Sequence, residues 1–190
     1  MNVPTKQTDI ELIEQTLRGN DNAFEELVDQ YKDYIYTVAY RVLGRPEEAE
    51  EAAQDAFIKA YRSLQGFDHR AKFSTWLYRI VLNTALSMRR KQKFYVEDID
   101  DHKNFNAYSE EKETLKLSEQ KKYLQEALNL LKEDDVTVLT LFYLKELHLE
   151  EIAEITGWEA NGVKVKLFRA RKRLAEKMRL ILKDEVKSIL

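Results

Sequence analysis

The sequence predicts an all-α fold: two small helical domains joined by a flexible linker, the second containing a helix-turn-helix. Three observations lead there. Among 190 residues there are only 5 Gly and 2 Pro, so the turn signals a β-sheet protein needs are nearly absent. Charged residues make up 34% and hydrophobic ones 44%, a mixture rich in Leu, Ala, Glu and Lys that favours helix and suffices for real cores. Apolar residues recur at helical spacing on both sides of a stretch, about 94–116, that has no sustained period.

In chain order, Thr8 with Glu11 reads as a capping box that opens a first helix stopping near Gly19. Asn22 with Glu25 is a candidate start for the second. There Phe24, Leu27, Val28, Tyr31, Ile35 and Val38 share one face, and Gly44 ends the run. Pro46 stands where a first-turn proline belongs, starting a third helix that reaches about Leu64, with Gly66 as its stop. A short loop, 65–73, precedes a fourth helix over about 74–91. Its apolar face is Leu77, Ile80, Val81, Thr84, Ala85 and Met88. Four such helices can bury one another as a bundle. Residues 94–116 combine scattered aromatics with clustered acids and read as a linker. A second helical unit follows over 117–190, with Leu117, Leu124, Leu128 and Leu131 on one helix and Val136, Leu139, Phe142 and Leu147 near the next. The domain division is therefore 1–93, 94–116 and 117–190.

Charge is segregated along the chain although the net charge is only -3. Residues 59–93 hold nine Lys and Arg against the single acid Asp68, and 160–180 hold eight against Glu176. Between them, 97–113 carries seven acids against Lys103 and Lys112. Two separate basic surfaces, each with aromatics, point to a polyanion, and nucleic acid is the first such partner to consider.

Several function classes are excluded by the same reading. With no Cys there is no disulfide, thiolate zinc site or cysteine nucleophile. His69, His102 and His148 lack metal-ligand spacing, and no phosphate-cradling Gly-rich loop is present. Neighbouring acids such as Glu47 and Glu48, or Glu150 and Glu151, diverge on a helix and do not make a catalytic pair. No enzyme activity, cofactor, metal or small-molecule substrate is expected. No basic segment followed by an apolar core stands at the N-terminus, and the longest apolar-looking run, 136–144, is too short to span a bilayer. The expected location is the cytoplasm.

The sharpest local motif is 149–174, which reads as a helix-turn-helix. Ala153 is small where two helices cross, Gly157 follows at the turn, and Val163 comes six residues later. On the second helix Val163, Leu167, Ala170 and Leu174 form a narrow buried stripe, which displaces Lys164, Val165, Phe168, Arg169 and Lys172 outward. Such a face can read a major groove: cations pair with guanine edges or phosphates, and Val165 or Phe168 can contact a thymine methyl. An ordinary solvated basic face is the competing reading. In the first unit Trp76, Arg79, Asn83 and Arg90 form a stripe off the apolar face of the fourth helix. Cations, an amide and an indole together suit unpaired DNA, whose phosphates need charge and whose bases need stacking surfaces. For Trp76 the alternative is a place in the bundle core.

Three segments together, Glu48-Ala49-Glu50-Glu51-Ala52-Ala53-Gln54-Asp55-Ala56-Phe57, then Lys72-Phe73-Ser74-Thr75-Trp76-Leu77-Tyr78-Arg79-Ile80, then the helix-turn-helix, resemble the extracytoplasmic-function sigma factors of bacterial RNA polymerase. The match covers about 23–93 and 124–180. It implies that Glu50, Glu51, Gln54, Asp55 and Phe57 lie on the helix that docks on the polymerase largest subunit. It implies that Asp68, His69, Arg70, Lys72, Ser74, Trp76, Arg79, Asn83 and Arg90 bind and melt the minus-ten element. The minus-thirty-five set would be Asn161, Lys164, Val165, Lys166, Phe168, Arg169, Arg171 and Lys172.

The implied partners are core RNA polymerase through its largest and second-largest subunits, promoter DNA as single strand and duplex, and an anti-sigma factor that can hold the chain at the inner face of the membrane. Three positions depart from the family pattern: Glu51 stands where Asp is frequent, Ser87 where Asp is usual, and Val165 where a small polar residue is commoner. A free-standing helix-turn-helix regulator that acts without polymerase is the alternative function.

Overall fold

The computed structural model describes residues 8–97, 115–145 and 147–189. Every element it assigns there is helical. Helix α1, Asp9–Leu17, starts on the expected capping box: Thr8 N donates to Glu11 Oε2 at 2.8 Å, and Glu11 N donates to Thr8 Oγ1 at 3.3 Å. Helix α2, Asp21–Leu43, begins earlier than Asn22 and Glu25 suggested. Its N-cap is Asn20, and that side chain makes no capping bond. Asp21 supplies first-turn negative charge in place of the cap and accepts the Tyr61 hydroxyl at 2.7 Å, which also pins the helix start to α3.

Gly44 closes α2 in the left-handed conformation, φ 81°, with its N–H donating to the Tyr40 carbonyl at 2.8 Å. Pro46 then opens α3, Pro46–Ser63, which runs on into a short 3-10 turn over Leu64–Gly66. Ala49, Ala52, Ala53, Ala56 and Ala60 are its buried positions, so α3 lies close against α2 and α4. Helix α4, Phe73–Glu97, is longer than 74–91 at both ends, and 94–97, expected in the linker, are helical. Residues 115–116, also expected in the linker, are helical too, and the remaining linker residues, 98–114, fall outside the described residues.

Helices α5, Leu115–Asn129; α6, Glu133–Lys145; α7, Leu149–Thr156; and α8, Ala160–Ile189, make the second unit. Gly157 ends α7 at φ 75°, the turn conformation the helix-turn-helix spacing required. Val163, Leu167 and Ala170 are buried against α5, α6 and α7, and Leu174 is half-buried, as the stripe on α8 predicted.

The two units touch. Helix α2 packs on α5 and α6, α4 packs on α7, and one hydrophobic cluster runs from Leu12, Ile35 and Val81 through to Val136, Ile152 and Val163.

Candidate nucleic-acid interface

The loop leading into α4 is built from an aromatic cluster. Phe67 and Phe73 are buried and meet edge to face at 5.8 Å; Trp76 is half-buried and tilted against both, at 5.3 and 5.7 Å. Trp76 therefore serves the core with part of its indole and leaves part at the surface, between the two expectations for it. The His69 ring lies 4.7 Å from Phe67, on a backbone with φ 58°, a left-handed conformation uncommon outside glycine. Asp68 shapes the tip: its carboxylate accepts the Arg70 backbone N–H at 3.2 Å and pairs with the Arg70 guanidinium at 3.2 Å. Ser74 is half-buried in the first turn of α4, while Asn83 is exposed on its flank.

Lys72, Arg79 and Arg90 are exposed residues of the same surface, yet each has an acceptor on the second unit. Lys72 Nζ lies 2.7 Å from Glu151 Oε1. Arg79 Nε donates to the Ile155 carbonyl at 3.1 Å, and its Nη2 to the Glu154 carbonyl. Arg90 Nε sits 3.7 Å from Glu133 Oε2 while also donating to its own helix at Leu86. Glu151 holds its proton less readily than an ordinary carboxyl, because it accepts from Lys72 and from the His148 backbone N–H; the same Lys72 bond raises the lysine.

Sequence reasoning missed the residue that joins the units most tightly. Arg89, counted above with the basic block, is only 6% exposed. It donates to the Val42 carbonyl at 3.3 Å and, across the junction, to the carbonyls of Asn129 at 3.2 Å and Leu131 at 2.9 Å. Burial lowers its affinity for the proton, partly offset by Glu133. Nearby Arg41 Nη1 donates to Gln125 Oε1 at 3.3 Å, and Gln125 returns a bond to the Arg41 carbonyl. A signal for Arg89 was present: it stands four residues after Ala85 and eight after Val81, on the buried stripe of α4.

On α3, Glu50, Glu51, Gln54 and Asp55 are exposed, and Phe57 is half-buried against the core. The four polar side chains thus form one outward face, with the Lys59 ammonium 4.0 Å from Asp55 at its edge.

On α8 the reading face divides. Asn161, Lys164, Val165, Phe168, Arg169 and Lys172 are exposed, with Phe168 at 71% and Val165 at 47%. Two residues of the expected set also make contacts within the second unit: Lys166, and Arg171, which is nonetheless exposed. Lys166 is half-buried, 4.4 Å from the centre of the Trp158 ring and bonded to Asp134. Arg171 lies over Phe142 at 4.9 Å and Tyr143 at 5.3 Å. Arg173 Nε is 3.1 Å from the buried carboxylate of Asp135, an ion-pair contact whose N–H does not point along the hydrogen-bond line. Of the first-turn acids of α6, Asp134 and Asp135 thus position α8 through Lys166 and Arg173, while Glu133 takes Arg90 of α4.

With this geometry in place, known proteins can be compared. The family described as Sigma-70 region 2 matches residues 27–95, and Sigma-70 region 4 matches 121–174. The ECF RNA polymerase sigma factor SigW of Bacillus subtilis (strain 168) is 36% identical over 177 residues, 88% of this chain and 95% of that protein. The RNA polymerase sigma-H factor of Pseudomonas aeruginosa is 34% identical over 191 residues, 95% of this chain and 98% of the relative. The fold is similar to that of the sigma factor RpoE in its complex with the anti-sigma factor NepR from Bartonella quintana, TM-score 0.68 at 24% identity, covering 82% of this chain and 96% of that one. It is likewise similar to CnrH in complex with the cytosolic domain of CnrY, TM-score 0.66 at 23% identity, over 90% and 97% of the two chains. Matching regions in the same order, over nearly the full length of relatives above 30% identity, place this chain in the extracytoplasmic-function family of RNA polymerase sigma factors, which are initiation factors and not enzymes.

Proposed function

We propose that the first unit docks on core polymerase and captures the melted minus-ten strand, while the second reads the minus-thirty-five element as duplex. The observation that carries the reading is the distribution of three unlike surfaces over three helices: an acidic exposed face on α3, cations and an amide flanking an aromatic cluster at α4, and an exposed Phe168 and Val165 among cations on α8. Glu50, Glu51, Gln54 and Asp55, with Phe57 beneath them, suit a basic groove on the largest subunit, and the second-largest subunit completes the polymerase contact.

At the loop, Asp68, His69, Arg70 and Ser74 frame the place for an unpaired base. Trp76 offers part of its indole for stacking, typically about 1–3 kcal/mol per base. Asn83 reads an edge, and Lys72, Arg79 and Arg90 hold phosphates. On α8, Lys164, Arg169 and Lys172 take phosphates or guanine edges, while Val165 and Phe168 meet thymine methyls. Asn161 stands at the helix N-terminus, where backbone N–H groups favour a phosphate. Lys166 and Arg171 contribute by holding α8 in place.

The similar sigma factor RpoE, solved with the anti-sigma factor NepR, and CnrH, solved with the cytosolic domain of CnrY, support a protein partner of the anti-sigma kind for this chain, one that can hold it at the inner face of the membrane. Among the described residues no helix is long and apolar enough to cross a membrane. The deciding experiment adds purified protein to core polymerase on a genomic promoter library. Initiation at a defined subset of promoters is expected. No initiation at any promoter, together with tight duplex binding by a polymerase-free dimer, would instead make it a stand-alone regulator.

A further inference from the structure

Among the described residues, Phe168 is the most exposed large hydrophobic side chain, and Val165, three positions earlier on α8, is nearly half exposed. Neither belongs to the hydrophobic core cluster, so packing of the fold does not account for them. Their surroundings are cationic. Lys164, Arg169 and Lys172 stand exposed beside them, and the single acid of residues 160–180, Glu176, lies roughly two turns beyond Phe168. Such a mixture fits the DNA major groove, where phosphates line the walls and pyrimidine methyls stand on the floor.

The chemistry of the face narrows what it can recognise. From Gly162 to Lys172 every hydrogen-bonding side chain is a lysine or an arginine. These donate only, so they favour the acceptors of guanine and thymine edges and take nothing from the cytosine amino group. The groove feature that answers Val165 and Phe168 is the methyl on C5 of a pyrimidine. Three residues on a helix separate the two side chains by about 4.5 Å along the axis and about 60° around it, and base pairs stack about 3.4 Å apart. The pair therefore meets methyls on one base pair or on two neighbours. Both residues fall within the first nine of α8, the part of a recognition helix that contacts base edges.

We propose that Val165 and Phe168 form a methyl-reading pair, which recognises C5-methyl groups of pyrimidines and accepts 5-methylcytosine as it accepts thymine. Thymine differs from cytosine at position 4, where O4 replaces an amino group, and at position 5, where it carries the methyl. A hydrocarbon side chain makes no hydrogen bond to the first and packs on the second. Methylating a cytosine beneath the pair thus creates a contact that plain cytosine lacks, and the site gains a response to DNA methylation. The inference rests on the duplex reading of α8 given above and adds the chemical group that is read.

In the test, the full chain bound to core polymerase selects preferred sites from a randomised duplex library. The best site is remade with uracil for single thymines and, at the responding positions, with cytosine or 5-methylcytosine. Each comparison, thymine with uracil and 5-methylcytosine with cytosine, changes the methyl and leaves the hydrogen-bonding edge as it was. A loss of about fourfold is expected for one thymine-to-uracil exchange, the equivalent of ~0.8 kcal/mol for one buried carbon. An equal gain is expected for 5-methylcytosine over cytosine, confined to one position or two adjacent ones. Val165→Ala/Phe168→Ala, which trims only exposed side chains, should bring both ratios close to one. Lys172→Ala should lower affinity and keep both ratios.

If no position responds to a methyl while Lys172→Ala still weakens binding, α8 reads duplex without the pair, whose exposed hydrocarbon then serves a protein partner, and the proposal is overturned. Methyl ratios that persist in Val165→Ala/Phe168→Ala would assign the effect to the shape of the DNA and overturn it equally. If both variants select the parent's sites with the parent's affinity, the duplex reading of α8 itself fails, and the methyl-reading pair with it.

Discussion

Glu151 and Lys72 form a 2.7 Å ion pair between α7 and α4, and the other oxygen of the same carboxylate accepts the His148 backbone N–H at 3.1 Å. One side chain thus caps a helix and bridges two units, so its ionisation matters to both. Its folded proton affinity is depressed, first by Lys72 and then by the backbone bond. A depressed carboxyl stabilises the fold fully above its ordinary value of about 4.3, and the contribution is lost as pH falls through the lower folded value. Lys72 has the opposite sign. Bound to Glu151 and near Glu154, it is raised, so its contribution is complete below about 10.4 and lost as pH rises through the raised value. Thermal unfolding of the parent minus that of Glu151→Gln should therefore be a plateau across neutral pH, falling at both ends. A flat difference from acid to base would contradict the pairing.

Two adjacent arginines carry opposite expectations. Arg89→Met removes a buried guanidinium from three carbonyls and leaves them without a donor; a loss of about 3 kcal/mol is expected. Lysine should not restore it, because one ammonium cannot reproduce the planar fork. Arg90→Ala loses an exposed pair at 3.7 Å and should cost about 0.5 kcal/mol or less. Urea unfolding of both variants checks the contrast, and similar losses would mean that the buried bonds are not what joins the units.

These two residues also mark how far the sequence could be read. Helix identities, the glycine stops at Gly19, Gly44 and Gly66, the first-turn Pro46 and the α8 stripe follow from period and cap chemistry, which are local properties. Counting charges placed Arg89 and Arg90 in one basic block because a count does not know which way a side chain points. The four-residue steps from Val81 through Ala85 to Arg89 held the answer, but a cation on a buried stripe becomes credible only when the facing carbonyls of Asn129 and Leu131 are known. The same holds for Lys166 and Arg171, whose partners Asp134, Trp158, Phe142 and Tyr143 come from other elements. Asn22 and Glu25 had the spacing of a capping box, yet the chain entered α2 at Asp21, where the Tyr61 hydroxyl fixes it. Local rules lose where a tertiary partner intervenes.

On α8, position and exposure separate residues that look alike in sequence. Lys172→Ala should weaken duplex binding evenly across sequences and reduce the slope of affinity against salt by about one, the signature of a lost phosphate contact. Phe168→Ala should narrow the discrimination between binding sites and leave the salt slope unchanged. Arg171→Ala, which removes a cation from the Phe142 and Tyr143 rings, should reduce stability by about 0.5–1 kcal/mol with the slope untouched. Titration of a duplex library at several salt concentrations, with thermal unfolding alongside, distinguishes the three. A salt slope lowered by Arg171→Ala would return that residue to the DNA face.

Gly44 joins both uses of a missing side chain. Its φ of 81° is the left-handed cap of α2, where a Cβ costs roughly 1–2 kcal/mol, and a Cβ built there would lie 2.7 Å from Asn129 Oδ1. The Asn129 amide can turn away, but that breaks the bond it accepts from Gln125 Nε2 at 3.2 Å and disturbs the junction with Arg41. Gly44→Ala should thus destabilise through backbone strain and, separately, through Asn129. Asn129→Ala removes the second cost alone. The double variant is then expected to be more stable than the sum of the singles by about 0.5–1 kcal/mol, an interaction energy of the size that contacting residues show. Strict additivity in urea unfolding would place the whole effect in the turn and remove Gly44 from the contact between the units.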